Sequence, residues 1–87
     1  MKLLKFQASW CQPCKTLTSL LNTMQIPFPV EVIDADENKD MLQKYNVRSV
    51  PVLVLLDENN NEIDRLTGIA AKDKITALLN KGTNHAE

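Results

Sequence analysis

The spacing of hydrophobic positions changes from segment to segment, and each spacing predicts one type of element. Apolar runs at 2–8, 30–34 and 50–56 are typical of short buried strands. The run at 50–56 is the most continuous, so we expect a central strand that begins at Pro51, because a proline farther inside would delete a ladder hydrogen bond. A charged segment, 62–66, follows a polar turn and predicts the returning edge strand of a hairpin.

Helical spacing marks three further segments. Leu17, Leu20, Leu21 and Met24 recur at i, i+3, i+4 and i+7, which places them on one face of a helix. We expect this helix to end at 26–29, because the two prolines of that segment prevent further helical hydrogen bonding.

Two more helices complete the pattern. One is expected to be capped by Asp36 and to dissolve at 46–48. The other has apolar residues at helical spacing over 71–79, and Gly82 is expected to stop it. Apolar members of these helices are Met41, Leu42, Tyr45, Ala71, Ile75, Leu78 and Leu79.

The elements follow in the order β-α-β-α-β-β-α, which predicts an α/β domain. A strand, a helix and a strand within some thirty-five residues favour a right-handed crossover with parallel pairing. We expect one domain over residues 1–82 and a frayed tail over 83–87, since 87 residues cannot fill two cores.

Charge, the length of the apolar runs and the number of cysteines exclude several classes of function. Ten basic and eleven acidic residues leave a net charge of -1, which argues against a nucleic-acid partner. The N-terminal segment has charged and polar residues where an export signal would be apolar, and the apolar runs are too short to span a membrane. Two cysteines are too few for a disulfide scaffold. We therefore expect a cytoplasmic monomer.

Cys11 and Cys14 stand at the junction of the first strand and the first helix. Free amides and the helix dipole at a helix N-terminus favour an anion, here the Cys11 thiolate, and Pro13 suits the first turn. Two ordinary core cysteines are the alternative reading. A zinc site would need four ligands, and His85 is the only histidine, so we expect no metal.

These residues belong to a longer pattern that resembles the thioredoxin family. Residues 10–15, Trp-Cys-Gln-Pro-Cys-Lys, are similar to the family's Trp-Cys-Gly-Pro-Cys-Lys active site, and 47–51 resembles its segment ending in a cis-proline. Further similarity lies at 34–38 and 67–68. The N-terminal strand and helix of longer thioredoxins are absent, so the resemblance implies a minimal thioredoxin fold, with a four-stranded mixed sheet flanked by helices.

The resemblance also implies roles for individual residues. Cys11 corresponds to the exposed nucleophile and Cys14 to the resolving cysteine. Residues of the implied substrate surface are Trp10, which shields the pair, Val50, whose backbone pairs with a peptide, the cis-proline Pro51, and Gly68.

Two residues depart from the family pattern. Gln12 replaces the glycine between the cysteines, where residues tune the redox potential. Lys5 replaces a buried acid beneath Cys14. Strand alternation places Lys5 on one face with Leu3 and Gln7, and the resemblance implies that this face is the one covered by the catalytic helix. Lys5 either favours a Cys14 thiolate by its charge or packs its stem while the ammonium reaches water.

The implied activity is reduction of protein disulfides by dithiol exchange, without a cofactor and with a thioredoxin reductase as electron donor. A glutathione-linked glutaredoxin is an alternative, although its usual Cys-Pro-Tyr-Cys and Gly-Gly motifs are missing. A Cu(I) chaperone could use the two thiolates, but would not require Trp10, Pro13 or Pro51. A binding subunit without turnover is a third alternative.

Overall fold

The structure, a computed structural model, describes residues 1–84 and contains seven elements in the order that the hydrophobic pattern predicts. Their bounds are β1 (Lys2–Gln7), α1 (Gln12–Leu21), β2 (Val30–Asp34), α2 (Lys39–Lys44), β3 (Val52–Leu56), β4 (Glu62–Thr67) and α3 (Lys72–Asn84). Among the described residues, no helix has the length and apolar content that crossing a membrane requires.

The four strands form one mixed sheet in the order β2-β1-β3-β4. β1 and β2 are parallel and joined through α1, while β3 pairs antiparallel with both β1 and β4. The βαβ unit, the central position of β3 and the C-terminal hairpin are thereby confirmed. β3 is buried along its whole length, since strands flank it on both sides and helices cover both faces.

Side-chain alternation divides the core between the two faces of the sheet. Leu3 of β1 packs with residues of α1 and α3 on one face, whereas Leu4 and Phe6 pack with Ile33, Val54 and the partly buried residues of α2 on the other. Lys5 alternates with Leu4 and Phe6, so it lies on the α1 face, as predicted.

Helix ends account for the differences from expectation. α1 ends at Leu21, well before 26–29, because the Thr23 hydroxyl and amide both donate to the carbonyl of Leu20 and replace the next helical turn. α2 begins at Lys39 after Asn38, so the expected cap at Asp36 is wrong. The Asp36 amide instead donates to the carboxylate of Asp34 in a local turn.

Gly82 does not stop α3, which continues to Asn84. A Cβ built on Gly82 would lie 2.9 Å from the Phe28 ring, so glycine is needed for close approach and not for a turn. The part of the expected tail at 85–87, including His85, lies outside the described residues.

Candidate active site

Cys11 and Cys14 are joined by a disulfide at the N-terminus of α1, with their Cα atoms 5.2 Å apart. Cys11 is the N-cap residue, with extended backbone, and its sulfur accepts a hydrogen bond from the amide of Cys14 at 3.1 Å. Cys11 Sγ therefore occupies the position of a capping oxygen, where a helix favours negative charge. Gln12 and Pro13 lie between the cysteines in the exposed first turn.

The sulfurs are less accessible than the sequence suggests. Cys11 and Cys14 are both 3 % exposed, so the expectation of an exposed Cys11 is wrong for this disulfide form. The reason is the segment before β3, which covers the pair. Val50 packs against the buried cluster formed by Ala8, Cys11 and Cys14, and its carbonyl oxygen lies 3.8 Å from Cys11 Sγ.

The segment that contains Val50 and Pro51 lies at the same end of the sheet as the cysteines because β1 and β3 are antiparallel neighbours. Phe6 pairs with Val52, so the residues that follow β1 and those that precede β3 meet at one end of the sheet. The Val50–Pro51 peptide bond is cis, as predicted. Gly68 has a φ of +83° and donates its amide to the Pro51 carbonyl at 2.8 Å, which brings the end of β4 to the same place. A side chain at Gly68 would meet open space.

Trp10 forms the most exposed part of this region, with 69 % of its surface accessible. Its indole Nε1 donates to the Asp36 carboxylate at 2.9 Å, and the ring borders a shallow groove that Val47, Arg48 and Val50 also line. Asp36 is thus a site residue that sequence reasoning missed by assigning it to a helix cap. The sequence did carry a signal for this role. Asp36 follows β2, which lies parallel and next to β1, so the residues after these two strands lie at the same edge of the sheet.

Lys5 lies beneath the helix that carries Cys14. It is 7 % exposed, and its Nζ donates to the Thr18 hydroxyl at 2.8 Å. Burial lowers the pKa of the Lys5 ammonium. The same Thr18 hydroxyl donates to the Cys14 carbonyl at 3.0 Å. Thr18 was also missed, although it follows Cys14 by one helical turn.

Comparison with known proteins agrees with this arrangement. The family model Thioredoxin matches residues 1–81. This chain belongs to the thioredoxin family. Thioredoxin of Chlamydia pneumoniae is 37 % identical over 82 residues, which cover 91 % of this chain and 79 % of the relative.

Solved structures of thioredoxins share the fold. A mutant thioredoxin from Halobacterium salinarum superposes with a TM-score of 0.86 at 33 % identity, covering 95 % of this chain and 74 % of that protein. Fasciola hepatica thioredoxin gives a TM-score of 0.79 at 26 % identity, with coverages of 93 % and 79 %. The expected thioredoxin fold, a four-stranded mixed sheet flanked by helices, is confirmed.

The family match and the Cys11–Cys14 disulfide together identify this protein as a thiol-disulfide oxidoreductase with Cys11 and Cys14 as its redox pair. Thioredoxins act in general on disulfide substrates and need no cofactor. Within residues 1–84, no three Cys, His, Asp or Glu side chains gather in a way that could hold a metal ion.

Proposed function

We propose that this thioredoxin reduces disulfide bonds in proteins, with Cys11 as the attacking and Cys14 as the resolving cysteine. The observation that carries the assignment is the Cys14 amide directed at Cys11 Sγ, because a hydrogen bond to the charged form favours the thiolate. In the reduced protein this bond would stabilise Cys11 in its reactive state before substrate arrives.

Reduction of a substrate disulfide by the two cysteines takes two steps, and their atoms and electrons balance without a cofactor. The Cys11 thiolate attacks one sulfur of the substrate disulfide, and the other substrate sulfur leaves as a thiolate and takes a proton from solvent. The Cys14 thiolate then attacks Cys11 Sγ, which forms the Cys11–Cys14 bond and releases the second substrate thiolate. Substrate gains two electrons and the cysteine pair loses two.

The substrate surface in this proposal consists of Trp10, Val50, Pro51 and Gly68. Trp10 offers an exposed aromatic face, and the Val50 backbone lies next to Cys11, where an extended peptide could pair with it. Gly68 leaves the surface beside Pro51 open. Gln12 and Pro13, at the exposed helix start, modulate the potential of the couple.

The electron donor in this function is a thioredoxin reductase. The protein itself acts as a monomer in the cytoplasm. A reductase of protein disulfides has to be returned to its dithiol form after every cycle, which requires a donor of lower potential. Mixing the oxidised protein with NADPH and thioredoxin reductase, and separately with glutathione, distinguishes this donor from that of a glutaredoxin.

Trapping tests the roles of the two cysteines. Cys14→Ser is expected to accumulate mixed disulfides with substrate proteins, because Cys11 attacks but nothing resolves the adduct. Cys11→Ser is expected to trap none, and the double variant serves as the background control. Non-reducing gels with thiol blocking measure the adducts. Equal trapping by both single variants, or adducts on Cys14 alone, would contradict the assignment.

A coupled assay with insulin disulfides tests the activity itself. Insulin reduction that depends on both cysteines supports the reductase. No insulin reduction combined with stoichiometric Cu(I) binding would favour a copper chaperone, and partner function retained by Cys-to-Ser variants would favour a binding subunit.

A further inference from the structure

The resolving cysteine has a basic and not an acidic neighbour on its inner side. Lys5 Nζ lies 2.8 Å from Thr18 Oγ1, and Thr18 follows Cys14 by four residues on α1. Side chains at this spacing stand one above the other, with Cβ atoms about 5–6 Å apart. The hydroxyl that holds the amine therefore belongs to the residue one helical turn after Cys14.

Thr18 fixes the direction of the lysine. Its hydroxyl donates its proton to the Cys14 carbonyl at 3.0 Å, so the oxygen presents its lone pairs to Lys5. The ammonium therefore has a defined acceptor on the helix that carries the cysteine. An untethered lysine would extend along the apolar surface until its charge reached water.

Among the described groups that face the ammonium, no charged partner competes for it. On α1 the titratable neighbours are Cys14 and the exposed Lys15. Across β1 the partner residues are apolar: Val32 on β2 and Leu53 on β3. α3 contributes apolar residues to this face.

Asp34 is the acid of β2 on this side of the sheet, opposite Gln7. Its carboxylate accepts the amide of Asp36. Burial, and not a neighbouring charge, is what lowers the pKa of Lys5. A thiolate on Cys14 would therefore be the natural counter-ion of this amine.

A groove lined by Cys14 connects this residue with solvent, to which the Cys14 thiol can lose its proton. It has a volume of about 380 Å³, and its polar lining includes Gln7, Ser9, Thr18 and Ser19, together with Lys15. None of the described residues that line it is acidic. A thiol proton on Cys14 can pass through this groove to solvent without an internal carboxylate base.

We propose that Lys5 is a positioning residue for the resolving step: its ammonium, held by Thr18, stabilises the Cys14 thiolate that attacks Cys11. In that step the Cys14 thiol gives its proton to solvent, the Cys11–Cys14 bond forms, and the bond between Cys11 and substrate breaks. This role rests on the proposed function, because it assigns resolution to Cys14.

Titration of Cys14 tests the charge effect without any substrate. In a Cys11→Ser background, where serine remains a good N-cap, the ultraviolet absorbance of the thiolate is followed against pH. Lys5→Met is expected to raise the pKa of Cys14 by about one unit, because a cation on the inner side of the cysteine favours its thiolate. Lys5→Arg should restore the lower value. Lys2→Met, at the far end of β1, is the matched control and should leave it unchanged.

Kinetics with Ellman's reagent test the resolving step. Cys11 attack releases one thionitrobenzoate, and Cys14 attack on the mixed disulfide releases the second. A thiolate of higher pKa is a stronger nucleophile, but less of it is present at low pH. If the Cys14 pKa rises by one unit in Lys5→Met, the second release is therefore about three- to fourfold slower at pH values below the Cys14 pKa of both proteins. At pH values above both, it is about threefold faster. The two pH profiles therefore cross.

Each result decides the matter. An unchanged Cys14 titration in Lys5→Met, or a rate lowered by one factor at every pH, would leave Lys5 as a packing residue and overturn the proposal. If Lys5→Met does not fold, Thr18→Val, which removes the hydroxyl that holds Nζ, should raise the Cys14 pKa while Thr18→Ser does not. Because the titration needs no turnover, it reads the effect of Lys5 even if insulin reduction fails.

Discussion

Lys5 is a charged residue in an apolar setting, and its ionisation has a cost that the rest of the fold must offset. Its side chain lies between Val32 and Leu53 on the sheet, and its ammonium donates to the Thr18 hydroxyl. Burial therefore disfavours the charged form and lowers the pKa below 10.5. At neutral pH the folded protein is less stable by this cost than it would be with an apolar residue.

Lys5→Met should raise the free energy of unfolding of the oxidised protein at neutral pH by about 1 kcal/mol, because the desolvation of the amine is removed. The folded-state pKa lies below the unfolded value, so the cost is fully present below the folded pKa. As pH rises from there to 10.5, the unfolded chain keeps a proton that the folded chain has lost, and stability increases.

Urea titrations across this alkaline range measure the difference. The gap between Lys5→Met and the natural chain should narrow as pH approaches 10.5. Lys2→Met, which changes a half-buried lysine paired with Glu31 at the surface, should stay within about 0.5 kcal/mol at neutral pH. A Lys5→Met protein that is less stable than the natural chain, or a gap that does not depend on pH, would contradict this account.

The sequence alone located the candidate site residues whose positions depend on the start of a helix or a strand. A cysteine at a helix start and a proline at a strand start are visible in the order of residues. So is the grouping of Lys5 with Leu3 and Gln7 on one face of β1, whereas the resemblance to the family was needed to assign that face to the catalytic helix. Asp36 and Thr18 escaped because their roles depend on partners that only the folded chain supplies, Trp10 for one and Lys5 for the other. The burial of Cys11 escaped for the same reason, since Val50 covers it from the segment before β3.

At the scale of elements, strands were easier to predict than helix ends. A strand's alternation extends over its whole length, and β2 was predicted with its observed bounds. A helix end depends on a few hydrogen bonds, such as that of Thr23 to Leu20, which compete with the next turn. The end of α3 depends on tertiary packing, because Gly82 lies against Phe28 and Leu55.

Gly82→Ala should lower the free energy of unfolding by about 1 kcal/mol. Alanine favours a helix by up to about 1 kcal/mol over glycine, but a methyl 2.9 Å from the Phe28 ring overpacks the contact between α3 and the segment before β2, and overpacking costs about 1–3 kcal/mol. Thermal unfolding followed by circular dichroism measures the change.

A Phe28→Leu background provides the control for Gly82→Ala. The smaller side chain opens space, so the same glycine substitution should cost less there or become stabilising. An equal effect in both backgrounds would show that the Phe28 ring does not decide the outcome at Gly82.

On the scale of the whole molecule, β2 is an edge of the sheet with apolar side chains in contact with solvent. Val32 is 53 % exposed, and within residues 1–84 one side of the strand has no paired neighbour in the sheet. Edge strands of this kind are templates for pairing with another chain. The sequence pI of about 5.8 means that mildly acidic solutions remove the net charge that keeps copies apart.

Val32→Thr should reduce self-association near pH 5.8 at high protein concentration, because it keeps β-propensity while removing exposed apolar surface. Sedimentation velocity over a range of concentrations measures the mean mass. Val54→Thr, at a buried position of β3, is the contrast and should lower stability by more than about 1 kcal/mol. Association that is the same in Val32→Thr and the natural chain would show that another surface is responsible.

The antiparallel pairing of β1 with β3 also affects the order in which the site appears during synthesis. Cys11 and Cys14 leave the ribosome before Val50, which packs against their cluster and follows 39 residues after Cys11. Until β3 emerges and pairs with β1, the two thiols have neither their cover nor their neighbouring carbonyl. A growing chain therefore has a period in which these cysteines are open to stray oxidants, and this period becomes longer as translation slows.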